Sequence, residues 1–489
     1  MASTTSNHVI LFPFMTQGHL NPFLAFAHLL ERHTQFTITI VNTPLNVQNL
    51  RNALPSDTTI RLMELPFDSS EHGLPPNSEN NETLPGHLYS TFFHATLTLE
   101  ATFERQLIDI CRRDGHPPLC IISDMFFGWT VSIAKRLGIL HAVFLTGGAY
   151  SMAGYLSLWL HLQRQKDSNE FGLVGYPETF RLHHSQLDGL IHLAHADEPY
   201  FLSLKQQISL SLGSESILCN TVEEMETTGL ELLPKLFGLP VWPVGPLVPS
   251  LIEPSTSRKF SRTGKEPTVS SDQCVAWLNL HPPSSVLYID FGYQNHISTL
   301  QMMELAMGLE SSGKAFIWVL NPPMEHEESV ELRPEWLPKG FEDRMKERKQ
   351  GLLIYKCAPQ LEILSHKSTG AFLSHCVWNL VLESLSLVVP IIGWPLQIEQ
   401  FFNSTVLVEL GVCLEMVIGV EENAVSREVE RVVGLVMGGT KKGEEMKRKA
   451  IAISEMLKAA VRDDGGEKGS SVSAIGAFFR WINQRKMLE

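Results

Sequence analysis

Basic charge is scarce in this chain. Its 39 lysines and arginines face 53 aspartates and glutamates, a formal charge of −14, and no basic cluster interrupts the excess. A polyanion such as nucleic acid has nothing to grip, so that class of partner is excluded. Cysteine is sparse and unpatterned. The seven cysteines (111, 120, 219, 274, 357, 376, 413) show no C-x-x-C spacing and are odd in number. This argues against a disulfide framework or a zinc ribbon and for a reducing compartment. No apolar run approaches the roughly 18 residues of a membrane span, and the longest, LVVPIIGWPL, holds two prolines. The opening MASTTSNHVILFPF lacks a basic n-region, and its apolar run is too short for a signal peptide. A cytoplasmic protein without a membrane span is expected, and the sequons at Asn81 and Asn403 are then chance matches. The dinucleotide fingerprint G-x-G-x-x-G is missing too, which disfavours a nicotinamide-dependent dehydrogenase.

What the chain does have is core-forming material. Hydrophobic residues make up 44% of its 489 positions and charged ones 19%, enough for two or three domains. Short apolar runs alternate with helical patterns. HVILFPF, TITIV, LCIISD, HAVFLT, SILCNT and VWPVGP read as strands in the first half; FLAFAHLLERH and WTVSIAKRLG read as helices. From 249 to 271 the chain turns rich in Ser, Pro and Thr, a linker composition. A second alternating half follows, with VLYIDFG, AFIWVL, LLIYK, GAFLSH and PIIGW as strands and a helical tail from Ser470. Such alternation predicts parallel, doubly wound sheets, whose ligands bind at the C-terminal ends of the strands.

Three patterns invite functional readings. Gly308, Gly313 and Lys314 have P-loop spacing, but Ala315 stands where Ser or Thr is needed, and the order is helix then strand. A plain structural role is expected there. His183, His184, His192 and His195 are dense, yet no cysteine or carboxylate set joins them as metal ligands. The stretch SHCVWNLVLESL is different. It follows a strand pattern, and its His375, Asn379 and Glu383 are four apart, so a helix would put them on one face. A helix start offers unpaired N–H groups to an anion. Such a stripe suits a nucleotide.

The segment from Cys357 to Gln400, CAPQLEILSHKSTGAFLSHCVWNLVLESLSLVVPIIGWPLQIEQ, closely resembles the 44-residue signature of plant secondary-product UDP-glycosyltransferases, the family 1 glycosyltransferases. That signature runs W-A-P-Q, H-C-G-W-N-S-x-x-E, G-V-P and a terminal D/E-Q. QGHLNP, SDMFFGWT, WPVGPL and WLNLHPPSSVLYIDFG also fall where the family has counterparts. The resemblance implies an α/β GT-B fold, with two Rossmann-like doubly wound domains facing a cleft. The expected boundaries are 1–248 for the acceptor-binding domain, 249–271 for the linker and 272–469 for the UDP-sugar domain. A C-terminal helix over 470–489 would pack back on the first domain. The implied activity is inverting O-glycosyl transfer, with glucose from UDP-glucose passing to a small plant-type aglycone such as a flavonoid, phenolic or terpenoid. No metal or other cofactor is implied, and a monomer is expected.

Residue by residue, the resemblance makes His19 the general base and Asp124 the carboxylate that orients it, with His19 expected in the loop after the first strand. Thr146 would touch the sugar from the acceptor side. Gln360 would bind the uracil edge beside Ala358, His375 and Asn379 the pyrophosphate, and Glu383 the ribose hydroxyls. Trp378, Glu399 and Gln400 would contact the sugar, and a terminal Gln goes with glucose-using members. Five positions of this UDP-sugar site depart from the pattern. Cys357 replaces the Trp that stacks on uracil, and Val377 replaces a Gly. Leu380 replaces a phosphate-binding Ser, Val388 replaces another Gly, and Tyr293 stands where Ser is usual. Gly-to-Val exchange carries a penalty wherever φ is positive. A second reading is therefore a catalytically weakened or inactive relative that binds a small hydrophobic ligand.

Overall fold

The computed structural model describes residues 7–81, 84–161, 170–177, 180–183, 186, 198–252, 269–292, 295–324, 333–416, 424–463 and 466–487. Tyr293, His184, His192, His195 and most of the expected linker, 253–268, lie outside them. The chain divides into two units: Met1–Gly264 with Leu457–Glu489, and Lys265–Met456.

In the first unit the strands are β1 (His8–Phe12), β2 (Thr37–Asn42), β3 (Arg61–Glu64), β4 (Cys120–Asp124) and β5 (Leu140–Leu145). A short antiparallel pair, β6 (Glu170–Phe171) and β7 (Leu182–His183), precedes β8 (Ser216–Cys219) and β9 (Val241–Pro243). Seven of these form one parallel sheet in the order β3-β2-β1-β4-β5-β8-β9. β1, β4 and β5 are buried along their whole length. That is why they read as unbroken apolar runs rather than as alternation. β3 escapes the sequence reading because RLME is a short edge strand whose residues are exposed or half-buried. The order reverses between β1 and β4: the chain leaves β1 toward β2 and β3, then returns on the other side. This topological switch opens a crevice above the strand ends.

The helix after β1 runs Gln17–His33, straight through Pro22. It thus begins earlier than its apolar pattern suggested. Its buried face, with Phe23, Leu24, Phe26, Ala27 and Leu30, offsets the hydrogen bond that proline cannot make. The C-terminal helix Ser470–Lys486 places Ile475, Phe478, Phe479 and Ile482 in the core of the first unit. Their i, i+3, i+4, i+7 spacing is one helical face. Phe479 lies 4.5 Å from Phe36, and Trp242 meets Phe478 and Trp481.

The second unit has β10 (Val286–Asp290), β11 (Ala315–Leu320), β12 (Gly351–Tyr355), β13 (Thr369–Ser374), β14 (Ile391–Gly393) and β15 (Cys413–Glu415). They form a parallel sheet ordered β12-β11-β10-β13-β14-β15, again with a switch, between β10 and β13. The P-loop look-alike resolves into packing. Gly308 lies inside the helix Thr299–Ser312, where a Cβ would come 2.6 Å from the Ser426 carbonyl oxygen. Gly313 ends that helix at φ 63.

One departure from the signature carries strain. Val388 follows the helix Trp378–Ser386 with φ 66. Its N–H bonds to the Leu385 carbonyl, and that of Val389 to the Ser384 carbonyl. These two bonds make a Schellman termination, which calls for glycine at the left-handed position. A β-branched residue there is strained. The left-handed conformation costs a non-glycine residue about 1–2 kcal/mol, while glycine's extra unfolded-state freedom costs roughly 0.4–1 kcal/mol. Val388→Gly is expected to stabilise the protein by about 1 kcal/mol, read as a higher urea midpoint at unchanged slope. An unchanged or lower midpoint would refute the strain.

Candidate active site

His19 is the third residue of the helix Gln17–His33, not a loop residue. Thr16 caps that helix in extended conformation, and the His19 N–H already bonds the Thr16 carbonyl. The helix therefore starts early enough to take in His19 and fix its ring at the switch between β1 and β4. Asp124 is the last residue of β4, on the other side of that switch. His19 Nδ1 and Asp124 Oδ2 are 2.5 Å apart, with the carboxylate buried and the imidazole partly exposed. The second oxygen, Oδ1, accepts from the Phe126 backbone N–H at 3.1 Å. Both carboxylate oxygens are thus committed, and the imidazole presents Nε2 as the atom left to take a proton. Phe14 and Phe126 pack beside the ring, at 6.0 and 5.6 Å between centroids.

Thr146 directly follows β5, the next strand over. Its turn is held from below: Asn220 Nδ2 donates to the Thr146 carbonyl at 3.3 Å. Buried Glu226 accepts from the backbone N–H groups of Ala149 and Tyr150, at 2.8 and 3.1 Å, and from the Thr221 hydroxyl. Burial holds its carboxyl above the usual range. Sequence reasoning missed Glu226. A lone Glu in a run of acidic residues, VEEME, carries no sign that it will be the buried one.

In the second unit, the nucleotide stripe is shorter than its spacing suggested. The helix starts at Trp378 with Val377 as its N-cap, so Asn379 and Glu383 share a face while His375 precedes the helix in a turn. Cys376, at φ 68, makes the break. Asn403 Nδ2 donates to its carbonyl at 2.9 Å, and the Ser374 hydroxyl accepts from its N–H at 3.2 Å. Asn403 is buried, so that sequon is closed to modification in the fold. The Cys376 thiol is held well above its usual pKa by its hydrogen bond with Cys413 and then by burial, which makes it a poor nucleophile.

Val377, at the N-cap, makes no side-chain cap hydrogen bond, and the N-terminal end of a helix carries the positive end of its dipole, which suits an anion. Val377 has φ −62, so the strain feared for a Gly-to-Val exchange is absent there; it sits at Val388 instead. Leu380 is buried in an apolar cluster with Ala358, Ile363, Leu364 and Val389. Its side chain therefore belongs to the core rather than to a phosphate site. Trp378 and His375 are also buried. Gly292, after β10, closes on His375 at φ 70, and a Cβ there would lie 3.1 Å from His375 Cε1.

Gln360 opens the helix Gln360–Ser365 and is buried. Its Nε2 donates to Glu383 Oε2 at 2.5 Å. Tyr288 Oη lies 3.4 Å from Gln360 Oε1 and donates to Asp290 Oδ2 at 3.0 Å. The structure thus joins Gln360 to Glu383 and adds Tyr288 and Asp290, two residues that read in sequence only as strand. Cys357 and Ala358 follow β12, Cys357 partly exposed and Ala358 buried. Glu399 and Gln400 lie in the first turn of the helix Ile398–Glu409, Glu399 partly exposed and Gln400 buried. Among the described residues no group of three or more His, Cys, Asp or Glu side chains is placed to hold a metal ion. No helix among them is long and apolar enough to cross a membrane.

Comparison with known proteins bears on the family and the fold. The profile of the family described as UDP-glucoronosyl and UDP-glucosyl transferase matches residues 279–452. Crocetin glucosyltransferase 3 of Crocus sativus is 43% identical over 97% of this chain and 98% of its own. UDP-glycosyltransferase 92A1 of Arabidopsis thaliana is 38% identical over 96% of each chain. Among solved structures, Glycyrrhiza uralensis UGT73P12, complexed with glycyrrhetinic acid 3-O-monoglucuronide, superposes with a TM-score of 0.83. It is 27% identical and covers 99% of this chain and 97% of its own. Two parallel α/β units with this arrangement of strands are the GT-B fold, and the chain belongs to the plant family 1 UDP-glycosyltransferases.

Proposed function

We propose that this UDP-glycosyltransferase moves glucose from UDP-glucose to a hydroxyl of a small plant-type aglycone, with inversion at the anomeric carbon and without a metal. The observation that carries the reading is the 2.5 Å hydrogen bond between His19 and Asp124 at the β1–β4 switch. Asp124 fixes the imidazole tautomer with Nδ1–H toward itself, so Nε2 is the base. As Nε2 takes the hydroxyl proton, the oxygen bonds to the anomeric carbon and the bond to UDP breaks. Asp124 then stabilises the imidazolium. UDP leaves with its charge met by the positive end of the helix that starts at Trp378 and by His375. Glu383, its carboxylate braced by Gln360, accepts from the ribose hydroxyls.

The rings of Phe14 and Phe126 beside His19 suit a flat or apolar acceptor such as a flavonoid, phenolic or terpenoid. A relative whose name joins glucosyl transfer to a small molecule, crocetin, supports this class and speaks for the active rather than the merely binding form. Seven free cysteines support a reducing, cytoplasmic setting. The test is a panel of aglycones with UDP-glucose, scored by mass gain and by the anomeric proton coupling of the product. Transfer giving the β-anomer is expected. Tight UDP-glucose binding with no transfer to any acceptor would point to the binding form instead, and an α-linked product would overturn the single displacement.

A further inference from the structure

Gln400 is held by more bonds than a sugar contact needs. A glutamine amide has two acceptor sites on its oxygen and two N–H donors on its nitrogen. Here Oε1 accepts from the backbone N–H groups of Leu396 at 2.8 Å and Gln397 at 2.9 Å. Two main-chain donors require the oxygen at that end, so the orientation of the amide is decided by its neighbours. At the other end Nε2 donates to Asn295 Oδ1 at 3.1 Å. Both side chains are buried, Gln400 at 1% exposure and Asn295 at 8%. Three of the four hydrogen-bonding positions are taken. Because the amide is planar, those three fix the direction of the last N–H.

We propose that Asn295 is a positioning residue for donor-sugar selectivity, aiming the remaining Gln400 N–H at one sugar hydroxyl. The inference rests on the reading that Gln400 meets the sugar. With its oxygen saturated, Gln400 can only donate, and only along one line. Glucose and galactose differ in the direction of a single hydroxyl, so a donor fixed in direction reaches one epimer and misses the other. A missed partner leaves a buried N–H unsatisfied, and the discrimination that follows is about 10–100-fold. If Asn295 is removed, the amide nitrogen can swing and the preference fades.

Isothermal calorimetry with UDP, UDP-glucose and UDP-galactose on the full chain tests this without any acceptor. UDP alone makes no sugar contact and reports on the rest of the site. For Asn295→Ala the expected result is UDP affinity within about twofold of wild type and a glucose-to-galactose preference reduced about tenfold. Asn295→Asp, which keeps an oxygen for Gln400 Nε2, should recover most of the preference. An unchanged preference in Asn295→Ala overturns the inference, as does equal loss of all three ligands, which would mark Asn295 as part of the scaffold. A wild-type chain that binds both sugars alike overturns it too. Gln400→Glu separates the underlying reading: it keeps an oxygen for the two main-chain donors but has no N–H to give. If Gln400→Glu leaves the preference intact, Gln400 does not meet the sugar. If it erases the preference while Asn295→Ala does not, Gln400 keeps its role and the inference about Asn295 alone falls.

Discussion

His19→Ala is expected to lower transfer by about 10²–10⁴-fold, the usual contribution of a positioned general base, with UDP affinity unchanged. His19 and the strands that place it lie in the first unit, whereas the helix start at Trp378, His375, Gln360 and Glu383 all lie in the second. The removed ring is partly exposed, so the fold should survive. Asp124→Asn should cost less than His19→Ala. It keeps an oxygen for the Phe126 N–H, but it no longer holds Nδ1–H by charge, so the wrong tautomer gains ground. Initial rates at saturating UDP-glucose, paired with UDP calorimetry, would decide. If His19→Ala retains more than a few per cent of activity, His19 is not the base. If Asp124→Asn turns over at the wild-type rate, the pairing has no catalytic weight.

Leu380→Ser should destabilise the protein by about 2–4 kcal/mol, the range for truncating a buried leucine. From the family pattern one would expect the reverse benefit, since serine is the residue that meets phosphate. In this chain Leu380 packs with Ala358, Ile363, Leu364 and Val389. Serine there would leave a void and place a hydroxyl among apolar side chains. Its effect on UDP affinity should stay within about threefold. Cys357→Trp acts differently. Cys357 is partly exposed, so a larger side chain can be accommodated, and stacking on a base contributes about 1–3 kcal/mol. UDP should then bind roughly 5–150-fold tighter with stability little changed. Denaturant midpoints and UDP calorimetry on the two single variants would check both. If Leu380→Ser is neutral in stability and tightens UDP binding tenfold, the side chain belongs to the phosphate site after all. If Cys357→Trp leaves UDP affinity unchanged, that position does not face the base.

The strand and helix order, the division into two alternating halves and the identity of the signature segment were legible in the sequence. Buried parallel strands write themselves as apolar runs, and a motif of fixed spacing survives in one dimension. The edge strand Arg61–Glu64 was not legible, because a half-exposed strand has no apolar run to show. The helix carrying His19 was read too short, since its apolar pattern begins only at Phe23, while the earlier start at Gln17 is set by the tertiary structure. Val377 and Val388 look alike in sequence, as two valines in place of two glycines. Only the backbone tells them apart, at φ −62 and φ 66, because strain depends on the dihedral angle and not on the residue name. Leu380 reads as a phosphate ligand lost, and the structure makes it a core residue. Glu226, Asn295, Tyr288 and Asp290 carry no motif at all. Their roles come from hydrogen bonds between residues up to 105 positions apart, and such partners exist only once the sheets have brought the strand ends side by side.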